Sequence, residues 1–381
     1  MSDVVRRSSL AMTGGRNIVL YADTETSTDL FAAVPANIID PFLYVEVGER
    51  RVAVISSLDA GTVRAADARI EVVDPETYGR RELMLSGMDW HAVGFEIVRR
   101  ALADLGVRDV AVPWQFPLAL ADVLRADGVA VTVDVAGIEA RRRVKTEGQL
   151  AGIRRAQTAA DGAMAIAANM VHACEPGLTA EAVRLAMQEF CRAHACALPG
   201  DVVVGPNEQG AAGHDQGEGP IEPGDGVIVD IWPQDVASRC WADMTRTFVA
   251  GGVEPDAELR EYWELTRRAL EETTEAVRPG VHGSDVHGIA SAVYEAAGKP
   301  TARSSPAGST DGFFHGLGHG VGLDIHEAPS LGLAGQELMA GDVITLEPGC
   351  YRQGYGGVRL EDLVLVTADG CEVLTDFPYE L

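Results

Sequence analysis

Little in this sequence of 381 residues points to a disulfide-stapled, membrane-spanning or nucleic-acid-binding protein. Six cysteines are few for the length and show no paired CxxC spacing, so we expect reduced thiols. Only 31 Lys and Arg stand against 57 Asp and Glu, and the net charge of -26 disfavours a phosphate backbone or an anionic membrane as partner. No apolar run approaches the roughly 18 residues of a membrane helix, and no signal-peptide segment is seen. We therefore expect a soluble, cytoplasmic protein with no nucleic-acid or membrane partner.

The first part of the chain, residues 1–141, predicts an α/β domain. A strand over Val107–Val112 is followed by a helical stretch over Leu118–Leu124 and a second strand over Val129–Val133, which is a βαβ signature. No glycine-rich phosphate loop follows these strands, so we expect a support or oligomerisation role rather than nucleotide binding. A basic stretch and a capping box at Thr146–Gln149 then start a helix, which places a second domain over residues 142–381.

Four acidic residues of that second domain lie in or beside apolar, strand-like runs. They are Asp230, Asp243, Glu347 and Glu361, and a histidine, His319, accompanies them. Carboxylates set into such runs would be buried and would repel one another, and burying unpaired charge costs several kcal/mol or more. Two divalent metal ions would balance four carboxylates and one neutral imidazole, and paired metals are a known device for hydrolysis.

The four acids belong to an internal repeat. Gly224-Asp225 leads into a strand that ends on Asp230, and Gly341-Asp342 leads into a strand that ends on Glu347. In each copy a second acid follows, Asp243 in the first and Glu361 in the second. We expect two similar hairpins that place four carboxylates around a pseudo-twofold centre.

Glycine occupies every even position between His315 and Leu323. If this segment is a strand, His315 and His319 share one face and the other face is bare, which suggests close approach of another backbone or a ligand. By the same parity, Thr245 and Thr247 share a face with Asp243 and can orient carboxylates. Arg359 shares a face with Glu361, so it can hold a ligand or a substrate carboxylate.

These residues together resemble the pita-bread metallopeptidases, the family of methionine aminopeptidase, prolidase and aminopeptidase P. The resemblance is carried by Asp230, by Ala-Asp243-Met-Thr-Arg-Thr-Phe, by His-Gly-Leu-Gly-His319-Gly-Val-Gly, by Leu-Glu347-Pro-Gly and by Val-Arg-Leu-Glu361-Asp. It implies an α+β pita-bread catalytic domain with pseudo-twofold symmetry over residues 142–381. Residues 1–141 are similar to the creatinase/prolidase N-terminal domain, which implies the Xaa-Pro branch of the family and a homodimer.

Residue by residue, the resemblance implies a set of roles. The metal ligands would be Asp230, Asp243, His319, Glu347 and Glu361, with Glu347 also the general base. Three further histidines would also act: His315 and His326 would shuttle protons and contact the substrate, and His214 would lie near the substrate amine. Arg359 matches an arginine on the strand of the last ligand and is assigned to substrate binding.

The expected reaction is hydrolysis of the bond between an N-terminal residue and proline, in a dipeptide or a longer peptide. Ligation rich in carboxylates favours harder divalent ions, so manganese is expected first, with cobalt, zinc and iron as alternatives. The segment from Ile231 to Ala242 is two residues longer than is usual in the family and carries Trp232 and Trp241. We expect this hairpin tip to reshape the pocket.

Two other functions compete with this one. Relatives on the same fold include creatinase, which cleaves a non-peptide C–N bond without metal, and metal-using enzymes of small molecules. The intact set of five ligands argues against the metal-free route but leaves a small non-peptide substrate open. A non-catalytic binding module, as in relatives that lost ligands, is the third hypothesis, and measured metal content separates it from the enzymes.

Overall fold

The computed structural model describes residues 16–213 and 215–381, and the chain divides into two units at Arg142 and Arg143. The first unit carries one six-stranded sheet in the order β4-β3-β2-β1-β5-β6. Its strands are β1 (Asn17–Ala22), β2 (Phe42–Val47), β3 (Arg50–Val54), β4 (Ile70–Val73), β5 (Asp109–Val112) and β6 (Ala130–Val133). Its helices are α1 (Thr28–Ala33), α2 (Ala60–Ala66), α3 (Arg80–Leu85), α4 (Trp90–Asp104), α5 (Leu118–Ala126) and α6 (Val135–Arg143), the last crossing the division.

The βαβ unit expected in the first part of the chain is present. β5 pairs with β6 in parallel, with Asp109 opposite Ala130, and α5 connects the two strands. β2 runs antiparallel to both neighbours, and its apolar first four residues are buried. The first unit is therefore a mixed α/β domain, as predicted.

The helices of the second unit begin at side-chain caps. Thr146 accepts a hydrogen bond from the Gln149 amide, and the Gln149 side chain accepts one from the Thr146 amide, so the predicted capping box starts α7. Apolar residues that recur at helical spacing along this helix, among them Ile153, Met164 and Val171, are fully buried. The helices are α7 (Glu147–Ala173), α8 (Ala180–Ala193), α9 (Ala257–Ala276) and α10 (Gly283–Ala296). None of the helices in the described parts of the chain is long and apolar enough to cross a membrane.

The strands of the second unit form several small sheets. The first half of the unit contains β7 (Cys196–Ala197), β8 (Val203–Pro206), β9 (Gly226–Ile231), β10 (Gln234–Asp235) and β11 (Met244–Val249). The second half contains β12 (His319–Gly320), β13 (Glu327–Ser330), β14 (Val343–Leu346), β15 (Gly349–Arg352), β16 (Gly356–Arg359), β17 (Asp362–Val366) and β18 (Cys371–Val373). The main sheets have the orders β11-β9-β8 and β13-β12-β14-β17-β18.

The internal repeat appears as two antiparallel strand pairs. β9 pairs with β11, with Asp230 opposite Thr245, and β14 pairs with β17, with Leu346 opposite Asp362. The two copies differ in what connects the strands: the first has the short strand β10, and the second has a separate hairpin of β15 and β16. A bridge between Thr245 and Glu361 joins the two copies. The predicted pairing of two similar acidic elements is confirmed.

Candidate metal centre

Eight of the nine site residues predicted from sequence line one cavity of about 650 Å³ in the second unit. They are Asp230, Asp243, His315, His319, His326, Glu347, Arg359 and Glu361. The ninth, His214, lies outside the described residues. A cavity of this size lies within the range of roughly 300–1,000 Å³ that small-molecule and peptide sites occupy.

The four acids reach the cavity from strand ends. Asp230 is the penultimate residue of β9, and Asp243 directly precedes β11. Glu347 directly follows β14, and Glu361 stands between β16 and β17. Strand pairing fixes the backbone beside each acid, so the carboxylates are held near one another by main-chain hydrogen bonds.

Two of these acids and His319 come close enough to share one cation. Ligand atoms of Asp243, His319 and Glu361 all lie within 4.8 Å of one another. The His319 Nε2 atom is 3.8 Å from Asp243 Oδ2 and 3.6 Å from Glu347 Oε1. Asp243 and Glu361 are buried, so this cluster lies where solvent screens charge poorly.

The carboxyl groups repel one another in the absence of a cation. Burial, reinforced by nearby Asp230 and Glu347, raises the pKa of Asp243 well above its ordinary value. Burial and the charges of Asp243, Glu347 and Asp230 do the same to the pKa of Glu361. The pKa of Glu347 rises to about 7, chiefly through burial. The arrangement therefore favours either protonation or a bound positive charge.

His319 is held as a neutral imidazole. Its Nδ1 atom lies 3.1 Å from the Gly320 carbonyl oxygen, and because that oxygen can only accept, Nδ1 carries the proton. The Nε2 lone pair then faces the carboxylates. Burial, together with the His326 ring whose centroid is 4.2 Å away, lowers the pKa of His319 to about 4. A neutral imidazole oriented by a backbone carbonyl is a typical metal ligand.

Asp230 shows directly that the centre suits a cation. Its Oδ2 atom accepts a 2.6 Å hydrogen bond from Arg359 Nη2, while its Oδ1 atom is buried without a hydrogen-bond partner. A buried oxygen without a partner costs roughly 1–3 kcal/mol or more if charged. Together with the oxygen-rich donor set, this orphaned atom fits a site for hard divalent ions.

One of the two threonines supports a carboxylate as predicted. Thr245 Oγ1 donates to Glu361 Oε2 at 2.8 Å. Thr247 Oγ1 instead donates to the Arg359 backbone oxygen at 2.9 Å, so its expected contact with a carboxylate is wrong. Thr247 shares the face of Thr245 but sits one pleat further from the acids, and it joins β11 to β16 instead.

Tyr351 is a site residue that no sequence motif signalled. Its hydroxyl lies 3.0 Å from His315 Nε2 and 3.1 Å from Arg359 Nη1. The His315 Nδ1 atom lies 2.8 Å from the Gly316 carbonyl oxygen, so both ring nitrogens of His315 have partners. Tyr351 thus links Arg359 to His315 and orients that ring. It could have been found only by knowing that the fold brings β15 against His315 and Arg359.

The expected strand from His315 to Leu323 is wrong in extent, because only His319 and Gly320 form a strand. The inference of close approach is confirmed at three glycines. A Cβ atom on Gly318 would lie 2.0 Å from the Thr345 carbonyl oxygen, and one on Gly320 would lie 2.3 Å from that of Ala328. A Cβ on Gly322 would meet the Glu327 carboxylate at 2.5 Å, whereas Gly316 has space.

The hairpin tip from Ile231 to Ala242 contributes one wall of the cavity. Trp232 lines the cavity, together with the apolar side chains of Val203, Phe314 and Ile325. Trp241 does not line it but anchors the tip. Its amide donates to the Gly322 oxygen at 2.9 Å and its indole Nε1 to the Leu323 oxygen at 3.0 Å. Trp232 is therefore the residue through which the tip contributes to the pocket.

Comparison with known proteins places this arrangement in a family. The sequence model of metallopeptidase family M24 matches residues 151–368. A probable dipeptidase PepE of Mycobacterium tuberculosis is 31% identical over 331 residues, which cover 84% of this chain and 83% of the relative. An Xaa-Pro dipeptidase of Pyrococcus furiosus is 37% identical over 162 residues, 42% of each chain.

Solved structures show the same fold. The prolidase from Pyrococcus horikoshii superposes with a TM-score of 0.77 at 22% identity, covering 96% of this chain and 95% of that one. Dipeptidase PepE from Mycobacterium ulcerans gives a TM-score of 0.78 at 25% identity, covering 98% and 94%. The prediction of a creatinase/prolidase-like domain and a pita-bread domain is therefore confirmed.

The pKa of Glu347 predicts how the stability of the metal-free protein depends on pH. A carboxyl group whose pKa is raised by folding stabilises the protein below its unfolded pKa, and this contribution is lost as pH rises through the folded value. As pH rises from 4.5 to about 7, deprotonation of Glu347 should lower the free energy of unfolding by up to about 3 kcal/mol. Urea denaturation of metal-free protein between these pH values should show falling stability, and added divalent ions should reverse it.

The matched variant for this measurement is Glu347→Gln, which cannot titrate. Its stability should fall less steeply over the same pH interval than that of the unaltered protein. Identical slopes for the two proteins would show that Glu347 does not titrate in this interval.

Proposed function

The chain belongs to metallopeptidase family M24, and we propose that it hydrolyses the peptide bond between an N-terminal residue and a following proline. The observation that carries the proposal is the convergence of four carboxylates and three histidines on one cavity. The names of its relatives, dipeptidase PepE and Xaa-Pro dipeptidase, supply the substrate class. The cavity has room for a dipeptide or a longer peptide. We assign the chemistry to residues 142–381.

In this proposal two divalent ions are held by the donor set described above. The ligands are Asp230, Asp243, His319, Glu347 and Glu361. When bound, such ions polarise the scissile carbonyl and lower the pKa of a water molecule. Four carboxylates with one imidazole suit hard ions, so manganese is proposed first, before cobalt, zinc or iron.

The remaining steps belong to side chains of this protein. Glu347 is proposed to accept a proton from the attacking water and to return it to the proline nitrogen that leaves. His326 lines the cavity beside His319 and is proposed to donate a hydrogen bond to the carbonyl oxygen as negative charge develops there. His315 lines the cavity, and we propose that it contacts the substrate. Both of its ring nitrogens already have partners, which disfavours a role in carrying protons.

Two further assignments complete the proposed site. His214 is proposed to lie near the substrate amine. Arg359 was assigned to the substrate, but its contacts with Asp230 and Tyr351 support the alternative that it orients a metal ligand. Its guanidinium is buried and already hydrogen-bonded, which leaves less of it for a substrate carboxylate.

We further propose a cytoplasmic homodimer. All six cysteines are free, which suits a reducing compartment. Several large apolar side chains of the first unit are exposed, among them Ile39 (79%), Leu58 (89%), Trp114 (65%) and Leu118 (71%). Contact with a second copy would cover such surface.

The metal content of the reconstituted protein tests the dinuclear site. Elemental analysis should find about two divalent ions per chain. Asp243→Asn should lose most of this metal, because Asp243 lies beside both His319 and Glu361. Asp369→Asn, an exposed acid in a turn, is the control and should keep both ions. Unaltered protein that retains no divalent ion would contradict the proposal.

Replacement of His326 separates chemistry from metal binding. His326→Gln should retain its metal and fold but lower kcat by roughly 100-fold, the usual contribution of a proton-transfer or oxyanion-stabilising group. His194→Gln, at an exposed histidine after α8, should have ordinary activity. Steady-state rates with metal content measured on the same samples decide the matter. A normal rate in His326→Gln would remove it from the mechanism.

The preference for proline tests the substrate class. The proline ring has a fixed φ and no N–H, so it fits a preformed pocket that a flexible amide would fill poorly. Hydrolysis of Xaa-Pro dipeptides and Xaa-Pro-Xaa tripeptides should therefore be far more efficient than that of the matching alanine peptides. Equal rates on both series, or no cleavage by fully metallated protein, would favour the alternative of a small non-peptide substrate.

A further inference from the structure

Arg246 is a fully buried arginine that the proposed chemistry does not use. It lies in β11 between the two threonines, with 1% of its surface exposed. Its guanidinium donates five hydrogen bonds, which equals the number of N–H groups that it has. The acceptors are the carbonyl oxygens of Thr245 (2.9 Å), Glu361 (2.7 Å), Phe377 (3.0 Å) and Pro378 (3.2 Å) and the Asp362 Oδ1 atom (2.9 Å).

The segment from Phe377 to Tyr379, here called the clamp segment, closes over this guanidinium. The Tyr379 ring lies 4.6 Å from the Arg246 guanidinium carbon, and Arg267 of α9 lies 4.5 Å from the same ring. The Tyr379 hydroxyl donates to Asp362 Oδ2. Both oxygens of Asp362 are therefore engaged, one by Arg246 and one by the clamp segment.

The same network fixes the main chain of Glu361. The Glu361 amide donates to the Thr245 oxygen at 3.0 Å, and the Glu361 carbonyl oxygen accepts from Arg246. Its side chain accepts from Thr245. The backbone of this acid is thus held on both sides by β11, and Arg246 can hold it only while Asp362 and the clamp segment keep the guanidinium in place.

We propose that the clamp segment, acting through Asp362 and Arg246, is a positioning element of the metal centre. It holds the Glu361 carboxylate beside Asp243 and His319 against their mutual repulsion before any metal binds. This inference rests on the proposed role of Glu361 as a ligand. Partners that orient metal ligands typically change metal affinity by 10–100-fold when they are altered.

Tyr379→Phe tests the clamp with a minimal change. The variant keeps the aromatic ring beside both arginines and removes only the hydroxyl that donates to Asp362. Titration of metal-stripped protein with Mn²⁺, followed calorimetrically, should give a Kd about tenfold higher than that of the unaltered protein. This is the size of effect seen when residues that orient metal ligands are replaced. Asp362→Asn, which weakens the acceptor of Arg246 as well, should raise the Kd further.

The matched control is Tyr355→Phe. The Tyr355 hydroxyl also donates to a carboxylate, that of Asp256, at 2.7 Å, but neither residue lines the cavity or contacts the four acids. Loss of this bond should leave the Mn²⁺ affinity unchanged. Amide hydrogen exchange of metal-free protein gives a second readout, because the Glu361 amide should exchange faster in Tyr379→Phe and at the normal rate in Tyr355→Phe.

The outcomes separate the two proposals. Weaker Mn²⁺ binding and faster exchange in Tyr379→Phe alone would support the clamp. Equal Mn²⁺ affinity in Tyr379→Phe, Tyr355→Phe and the unaltered protein would overturn it while leaving the dinuclear site intact. An unaltered protein that binds no Mn²⁺ or other divalent ion would overturn the proposed function, and the role of the clamp in metal binding with it.

Discussion

The catalytic unit is organised around the repulsion among four carboxylates that share one buried site. Asp243 and Glu361 lie in the interior, where their charges are poorly screened, and burial together with neighbouring acids raises the pKa of both. Arg359 can offset only one of the four charges, and it is already bonded to Asp230. Such a cluster can be assembled only if the surrounding backbone is rigid enough to hold it. The rest of the unit serves that requirement.

The internal repeat provides this rigid backbone by placing each acid next to a paired strand. A side chain at a strand end inherits the position of a backbone that ladder hydrogen bonds fix, and it still points away from the sheet. The two copies meet where Thr245 bridges to Glu361, so the acids of one copy face those of the other. Arg246, on the opposite face of β11, donates hydrogen bonds to the carbonyl oxygens of Thr245 and Glu361. Alternate residues of one strand thus serve the metal centre on one face and its support on the other.

The acids and the helices could be predicted because their signals are local. An acid in an apolar strand, a capping box at Thr146 and an apolar stripe along α7 each depend on a few neighbouring residues. Tyr351 could not be predicted, nor could the apolar partners of Trp232, which are Val203, Phe314 and Ile325, because their roles arise from chain segments far apart in sequence. For the glycine-rich segment from His315 to Leu323, the predicted close approach of other chain segments is confirmed, whereas the predicted continuous strand is wrong. Its glycines are needed because neighbouring chain segments pass within contact distance, and this crowding does not require a continuous strand.

The rigidity of the hairpin tip from Ile231 to Ala242 affects which substrates the cavity can bind. Trp241 ties it to Gly322 and Leu323, and Arg155 of α7 holds Asp235 through two hydrogen bonds of 2.9 and 2.8 Å. A wall anchored at both points gives Trp232 little freedom to move when a substrate enters. A rigid wall loses little conformational entropy on binding, but it also cannot adapt to a flexible ligand. A substrate that is itself rigid at the scissile bond therefore suits this pocket best, which is the physical argument for proline rather than for an arbitrary second residue.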